Sequence, residues 1–339
     1  MKLVNLTPLP SESLAPNLPP ELEVVAPAER TSIAAAAVMA GADLVLGDYA
    51  GEIDITAEVV GAMDRVRLYH QPTTGYDMVD VDACAAAGIP VTNAGDATSV
   101  AMGEHVVMAT LALLKSLVWC DDQVRAGAWP QHDVVARSLV DLQGKTVGLL
   151  GLGRAAEEAA KRLTPFGCTV LYNARRRRPA DVEQRLGVAW AEREDLLAGA
   201  DVVVALVDLN AGTRNLLDAE ALERMKPSAF LVNVARGGVV DETALIGALE
   251  SGGIAGAALD VFADEPLPQG SPLRHLDNVI LTPHVAGATA ETRLRMLLRS
   301  FDVLTKAAAG ELPDGVVNGI DRLRLPERLP VRGDSPTDT

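Results

Sequence analysis

The sequence predicts an α/β protein built from two doubly wound parallel sheets, and three observations predict it. Short apolar runs alternate with helix-like segments along almost the whole chain, the rhythm of parallel strands joined by crossover helices. A long helical stretch, from about Ser99 to Ala126, interrupts that rhythm near the middle, after which it restarts. At the restart a strand-like run, Thr146-Val-Gly-Leu-Leu150, opens into Gly151-Leu152-Gly153-Arg154-Ala155-Ala156 and an alanine-rich helix. A chain of 339 residues is long for one core and comfortable for two.

In the first third, strands are expected at Lys2–Leu6, Leu22–Val25, Asp43–Leu46, Val66–Tyr69 and Pro90–Thr92, with helices such as Thr31–Ala40 and Asp80–Ala86 between them. Asn93-Ala-Gly-Asp and Gly127-Ala-Trp129-Pro130 bracket the long helical stretch, as turn-forming residues should. The second series of strands is expected at Thr146–Leu150, Thr169–Tyr172, Asp201–Val207, Ala229–Asn233, Gly256–Leu259 and Val279–Leu281. About six strands is the count of a dinucleotide-binding sheet. Another helix is expected over Ala288–Ala309, and the Pro-, Arg- and Asp-rich end, 326–339, reads as a tail.

With 48% apolar and 22% charged residues, the chain is globular rather than disordered. A formal net charge of −16 argues against a nucleic-acid partner and for small-molecule work. Cys84, Cys120 and Cys168 lie far apart, so neither a disulfide framework nor a metal site is expected, and they read as buried small hydrophobes. The N-terminus lacks a signal-like apolar core, and no run approaches about 18 uninterrupted apolar residues. No membrane partner is expected, and the location should be cytoplasmic.

The glycine turn is a dinucleotide fingerprint in its required strand–turn–helix context. Gly151 allows the tight turn, Gly153 lets backbone approach a pyrophosphate, and small Ala156 permits close helix–strand packing. The helix N-terminus supplies N–H donors and partial positive charge for the phosphates. About 20 residues on, where an NAD-binding unit carries an acid for the ribose 2′-OH, this chain has Asn173 or Ala174, followed by Arg175, Arg176, Arg177 and Arg178. An acid there would repel a 2′-phosphate, whereas guanidinium groups bind it. NADP(H) is therefore expected over NAD(H), with Arg175 and Arg176 as the phosphate ligands and the next two arginines solvated.

Three later segments each join a strand end to polar residues: Asn233–Asp241 with Arg236, Leu259–Pro266 with Asp260 and Glu265, and Leu281–Gly287 with His284. Ligands collect at the carboxyl ends of strands in an open α/β sheet, so Arg236, Glu265 and His284 should converge on one crevice. A His beside a carboxylate can serve as a general acid, and an Arg can hold a substrate carboxylate.

Taken together with the fingerprint, these segments resemble the D-isomer-specific 2-hydroxyacid dehydrogenase family over roughly Val66 to Asn318. The likeness extends to Gly75-Tyr-Asp77, Gly103-Glu104-His105, Leu142-Gln-Gly144-Lys145-Thr146 and Met225-Lys226. It implies that Arg236 binds substrate, Glu265 supports His284, and His284 exchanges the proton and also meets both ligands. It further implies cofactor contacts from Gly151, Leu152, Gly153, Arg154, Ala155, Asn173, Ala174, Arg175, Arg176, Val207, Ala235 and Asp260, the last with the nicotinamide carboxamide. Thr74 and Gly75 would bind substrate. The implied architecture is a Rossmann cofactor domain (98–286) inserted into a split flavodoxin-like substrate domain (1–97 and 287–325), in a homodimer associating through the cofactor domains and the long helix.

Leu171-Tyr-Asn-Ala-Arg-Arg176 is similar to the NADPH-preferring glyoxylate/hydroxypyruvate reductases. Leu206-Val-Asp208-Leu-Asn210 departs from the family's usual His-x-Pro-Leu-Thr, and Gly47-Asp48-Tyr49-Ala50 lacks the cations a phosphorylated substrate needs. The expected activity is hydride transfer between NADP(H) and a small 2-keto or 2-hydroxy acid. Alternatives within the resemblance are an NAD-linked dehydrogenase of another substrate, phosphite included, or a dinucleotide-sensing corepressor-like protein.

Overall fold

The computed structural model describes residues 1–137 and 139–324, so the tail expected at 326–339 lies outside the described residues. The chain divides into two compact units: Met1–Ala97 with the described residues from Arg293 onward, and Thr98–Thr292.

The first unit is built on five strands: β1 (Lys2–Asn5), β2 (Glu23–Val25), β3 (Leu44–Leu46), β4 (Leu68–His70) and β5 (Val91–Thr92). They are parallel throughout, in the flavodoxin-like order β2-β1-β3-β4-β5. Alternate residues feed two cores. Val4, Val45, Tyr69 and Val91 pack on one face with Met39 and Val59. Leu3, Leu44, Leu46 and Leu68 pack on the other, where Val303, Leu304 and Ala307 of the helix Ala290–Ala308 cover them. Both faces are buried, which is why these strands read as continuous apolar runs. Side-chain caps start the crossover helices: Thr31 accepts from the Ala34 N–H and Asp80 from the Ala83 N–H, each cap contributing about 1 kcal/mol. The β5 edge is closed by Val316, which bridges Thr92 antiparallel, and by the Val317 N–H donating to Val91 O at 2.8 Å.

The second unit carries seven parallel strands: β6 (Thr146–Leu150), β7 (Thr169–Asn173), β8 (Val188–Trp190), β9 (Val202–Ala205), β10 (Phe230–Asn233), β11 (Gly256–Leu259) and β12 (Val279–Leu281). Their order, β12-β11-β10-β9-β6-β7-β8, is that of a doubly wound dinucleotide-binding sheet with one strand added beside β11. The expected set of about six strands omitted β8. It is a three-residue edge strand between Gly187 and a polar segment, too short to show a period.

The helical stretch expected over Ser99–Ala126 is two helices, Ser99–Leu114 and Leu117–Arg125, bent by 62°. Ser116 makes the break: it adopts a left-handed backbone, φ 45°, and donates its N–H to Leu113 O at 3.0 Å. No Gly or Pro marks the spot, so apolar periodicity runs through it unbroken. The first helix is buried along one face, whereas the second has no buried residue. Gly103 lets the first helix lie against Arg154–Leu163: a Cβ there would come within 2.8 Å of Glu158. Of the three cysteines, Cys84 is buried as expected, but Cys120 and Cys168 are only half-buried. Among the described residues no single helix is long and apolar enough to cross a membrane.

Candidate active site

Strand register places the chemistry-bearing segments side by side in the second unit. Asn233 pairs with Leu259, and Leu259 with Leu281, so the segments leaving β10, β11 and β12 start level with one another. The backbone continues the ladder: Asp260 N–H donates to Asn233 O at 3.0 Å, and Thr282 N–H to Leu259 O at 3.0 Å.

On leaving β10, the Asn233 side chain ties down its own loop, accepting from the Ala235 N–H at 3.1 Å and donating to Arg236 O at 3.2 Å. Arg236 Nη1 donates to Ala235 O at 2.8 Å. Gly237 is sterically obligatory, because a Cβ there would lie 1.8 Å from Phe262 O. That close approach presses the Arg236 loop onto the segment that carries Glu265.

His284 and Glu265 are in direct contact, Nδ1 to Oε2 at 2.7 Å, and both are partly exposed. The other Glu265 oxygen, Oε1, accepts the Phe262 N–H at 3.0 Å, which fixes the carboxylate. His284 sits at φ 55°, a left-handed conformation that non-glycine residues rarely hold without support. Asp260 supplies that support. Its carbonyl accepts the His284 N–H at 2.8 Å, and its carboxylate accepts the N–H groups of Val285 and Ala286, both at 2.8 Å. The Thr282 hydroxyl donates to the same carboxylate at 2.6 Å. Asp260, 2% exposed, is thus the clamp of the His284 loop, a role the sequence reading missed. Its signal was available as an acid directly after a fully buried strand. His105 Nε2 lies 3.5 Å from Thr282 Oγ1, and burial lowers its pKa against the opposing pull of Asp260.

At the fingerprint, Gly151 takes φ 100° and a Cβ on it would meet Leu206 O at 2.7 Å and Val207 at 3.2 Å. Here Gly151 serves the packing of β6 on the exit of β9, and brings Val207 beside the turn. A Cβ on Gly153 would meet no atom within 4 Å, and no side chain caps the helix Arg154–Leu163 that follows. Open space over an uncapped helix N-terminus fits a dinucleotide pyrophosphate, with Leu152, Gly153, Arg154 and Ala155 as its backbone cradle. Asn173 donates through Nδ2 to Ala191 O at 2.9 Å, and its carbonyl accepts the Gly151 N–H at 2.8 Å, so it braces the turn.

Ala174 leads into the four arginines. Arg175 and Arg176 are exposed and make no hydrogen bond or ion pair among the described residues. Arg177 and Arg178, expected to be solvated, are instead paired with Glu183 at 2.8 Å and Glu157 at 2.6 Å. Helices packed at either side of the loop put acids within reach of them, which sequence spacing could not show.

Thr74 and Gly75 lie in the first unit, on the loop after β4. The Thr74 hydroxyl donates to Gly95 O at 3.0 Å, and Asn93 Nδ2 to Thr74 O at 2.7 Å. Thr73 donates to Gly75 O at 2.6 Å, and Gln71 Nε2 to Thr73 Oγ1 at 2.9 Å. The loop is therefore held by buried Gln71, which no motif marks, and by Asn93, legible in the sequence only as a turn former.

Known proteins share this fold. The family model for the D-isomer specific 2-hydroxyacid dehydrogenase NAD binding domain matches residues 107–286, a little over half the chain. The glyoxylate reductase of Thermococcus onnurineus is 38% identical over 268 residues, covering 78% of this chain and 80% of the relative. Glyoxylate/hydroxypyruvate reductase B of Pectobacterium carotovorum is 38% identical over 267 residues, covering 76% and 83%. Among solved structures, a glyoxylate reductase from Paecilomyes thermophila superposes with a TM-score of 0.85 at 26% identity, over 93% of this chain and 98% of that one. With this fold and these relatives, the chain belongs to the D-isomer-specific 2-hydroxyacid dehydrogenase family and is a hydroxyacid oxidoreductase.

Proposed function

We propose that the protein is an NADPH-preferring reductase of small, unphosphorylated 2-keto acids such as glyoxylate or hydroxypyruvate. The observation that carries the catalytic part is the 2.7 Å contact between His284 Nδ1 and Glu265 Oε2. With Nδ1–H donated to the carboxylate, Nε2–H is the proton available to a substrate carbonyl oxygen. The Arg236 guanidinium binds the substrate carboxylate and draws charge from the adjacent carbonyl. Thr74 and Gly75 are the substrate-binding residues of the first unit on this reading, and the Gly75 N–H has no partner among the described residues. A nicotinamide, when bound, would supply the hydride, and Asp260, Val207 and Ala235 are the residues that would hold its nicotinamide end. On this reading the split unit is the substrate domain and Thr98–Thr292 the cofactor domain.

The NADPH preference is supported by Arg175 and Arg176, two exposed guanidinium groups where an NAD-binding unit has an acid, in a chain of net charge −16. The test is a panel of 2-keto acids assayed with NADPH and NADH, wild type against Arg175→Ala/Arg176→Ala. The double variant should raise the NADPH KM strongly and leave the NADH KM within a few-fold. Equal losses with both cofactors would refute the preference.

A homodimer formed through the cofactor domain is part of the same proposal. Met108, Leu117, Val118 and Val124 are exposed along the bent helical stretch, and Trp129, just beyond it, is 78% exposed. Beside them lies a cavity of about 840 Å³ lined by Trp119, Phe230 and Ile280 among others. An exposed apolar stripe of this kind supports a self-association surface. Light scattering on wild type and Trp129→Glu decides it: a wild-type monomer ends the proposal.

A further inference from the structure

Four consecutive arginines would repel one another and splay unless something sorted them. In this structure two buried acids do. Glu183, on the helix Ala180–Leu186, takes Arg177 in a fork, Nε to Oε1 at 2.9 Å and Nη2 to Oε2 at 2.8 Å. The fully buried Tyr172 hydroxyl donates to Glu183 Oε1 at 2.7 Å and accepts the Arg178 N–H at 2.7 Å, locking side chain and backbone together. On the other side Arg178 Nη2 donates to Glu157 Oε1 at 2.6 Å. Glu157 sits in the first turn of the fingerprint helix, and its N–H donates to Gly153 O at 2.9 Å. The basic loop is pinned to both flanking helices, and only Arg175 and Arg176 are left without partners, between Ala174 and the pins.

We infer that Glu183 and Glu157, with Tyr172, are positioning residues for cofactor selectivity: they hold the loop so that Arg175 and Arg176 face a 2′-phosphate. This rests on the NADPH reading above. Preorganised guanidinium groups bind with less ordering cost than mobile ones, and a bidentate contact depends on that geometry. Arg177 and the Tyr172 hydroxyl hold the Glu183 carboxyl down at about 2, so the pin is charged at every working pH.

Charge and position predict opposite signs, which makes the inference testable. Glu183→Gln removes one negative charge beside the loop, leaving its surroundings more positive, and releases Arg177. If charge alone mattered, 2′-phosphate affinity would rise. Positioning requires it to fall.

Binding is read directly, by nicotinamide fluorescence for NADPH and NADH and by calorimetry with adenosine 2′,5′-bisphosphate against adenosine 5′-monophosphate. Glu183→Gln should weaken NADPH and the bisphosphate about tenfold, as expected for loss of preorganisation, with NADH and the monophosphate within about twofold. Tyr172→Phe and Glu157→Gln should move the same ratio in the same direction by less, and decide the matter if Glu183→Gln does not fold. Unchanged or tighter NADPH binding overturns the inference, as does equal weakening of both cofactors, which would mean a structural role only. Arg175→Ala/Arg176→Ala is the control. If that variant keeps its NADPH preference, the NADPH reading itself fails; if it loses the preference while the three pin variants keep theirs, only the positioning role fails.

Discussion

Asp260 holds His284 by the backbone: the His284 N–H donates to Asp260 O at 2.8 Å, while the Asp260 carboxylate takes the next two N–H groups. A left-handed histidine, φ 55°, is kept in place by an acid that never touches its ring, and the ring is left to Glu265. The backbone aims the imidazole, and Glu265 holds its Nδ1.

His284→Ala should lower kcat for 2-keto acid reduction by about 10²-fold or more, the range expected on removing a general acid. NADPH fluorescence titration should show cofactor binding within a few-fold of wild type. Glu265→Gln keeps an acceptor for Nδ1 but loses the charge, and should cost about tenfold. Wild-type turnover by His284→Ala would place the proton donor elsewhere.

Arg236→Lys retains the charge but not the planar fork. It should reduce kcat/KM for every 2-keto acid by about 10²–10³-fold, the worth of one preorganised donor in a closed site. The cofactor Kd should stay unchanged. Normal turnover by the lysine variant would make Arg236 structural.

Gly237→Ala tests the contact between the Arg236 loop and Phe262. A methyl group placed 1.8 Å from Phe262 O must move one segment or the other. The expected overpacking loss is about 1–3 kcal/mol, or roughly 2–4 °C in unfolding midpoint per kcal/mol. Activity should fall further than stability, because the displaced segments carry Arg236 and Glu265. Calorimetry beside steady-state assays measures both.

His70 gives the first unit a pH limit. It is fully buried, its Nδ1 accepting the Thr92 hydroxyl proton at 2.9 Å and its Nε2–H donating to Ser300 at 3.0 Å, while Ser300 in turn donates to Met296 O. Burial, then the nearby Arg299 charge, lowers its pKa to about 3. The unfolded chain takes up this proton below about 6.5, the folded one only near 3, so stability is intact above about 6.5 and drains away as pH falls towards 3. At pH 4.5 the loss is about 2–3 kcal/mol. Urea unfolding of wild type and His70→Gln at pH 7 and 4.5 should show the larger pH loss in wild type.

Much of this molecule is written locally. Apolar runs buried on both faces, such as Val202–Ala205, announce parallel strands because nothing polar can be tolerated there. The turn at Gly151 and the segments bearing Arg236, Glu265 and His284 are legible because special backbone and special chemistry need particular residue types. The family follows from their order. Tertiary structure alone decided the rest. Ser116 breaks a helix with no breaker in its sequence, because its left-handed backbone turns a buried helix into an exposed one. β8 exists because β7 has an edge to pair. Which two of four identical arginines are paired depends on Glu157 and Glu183, set 21 and 6 residues from their partners on separate helices. Periodicity and motif report what a segment is; which side chains meet is settled by packing between segments, as the pairing of Arg177 and Arg178 and the clamp of Asp260 on the His284 loop show.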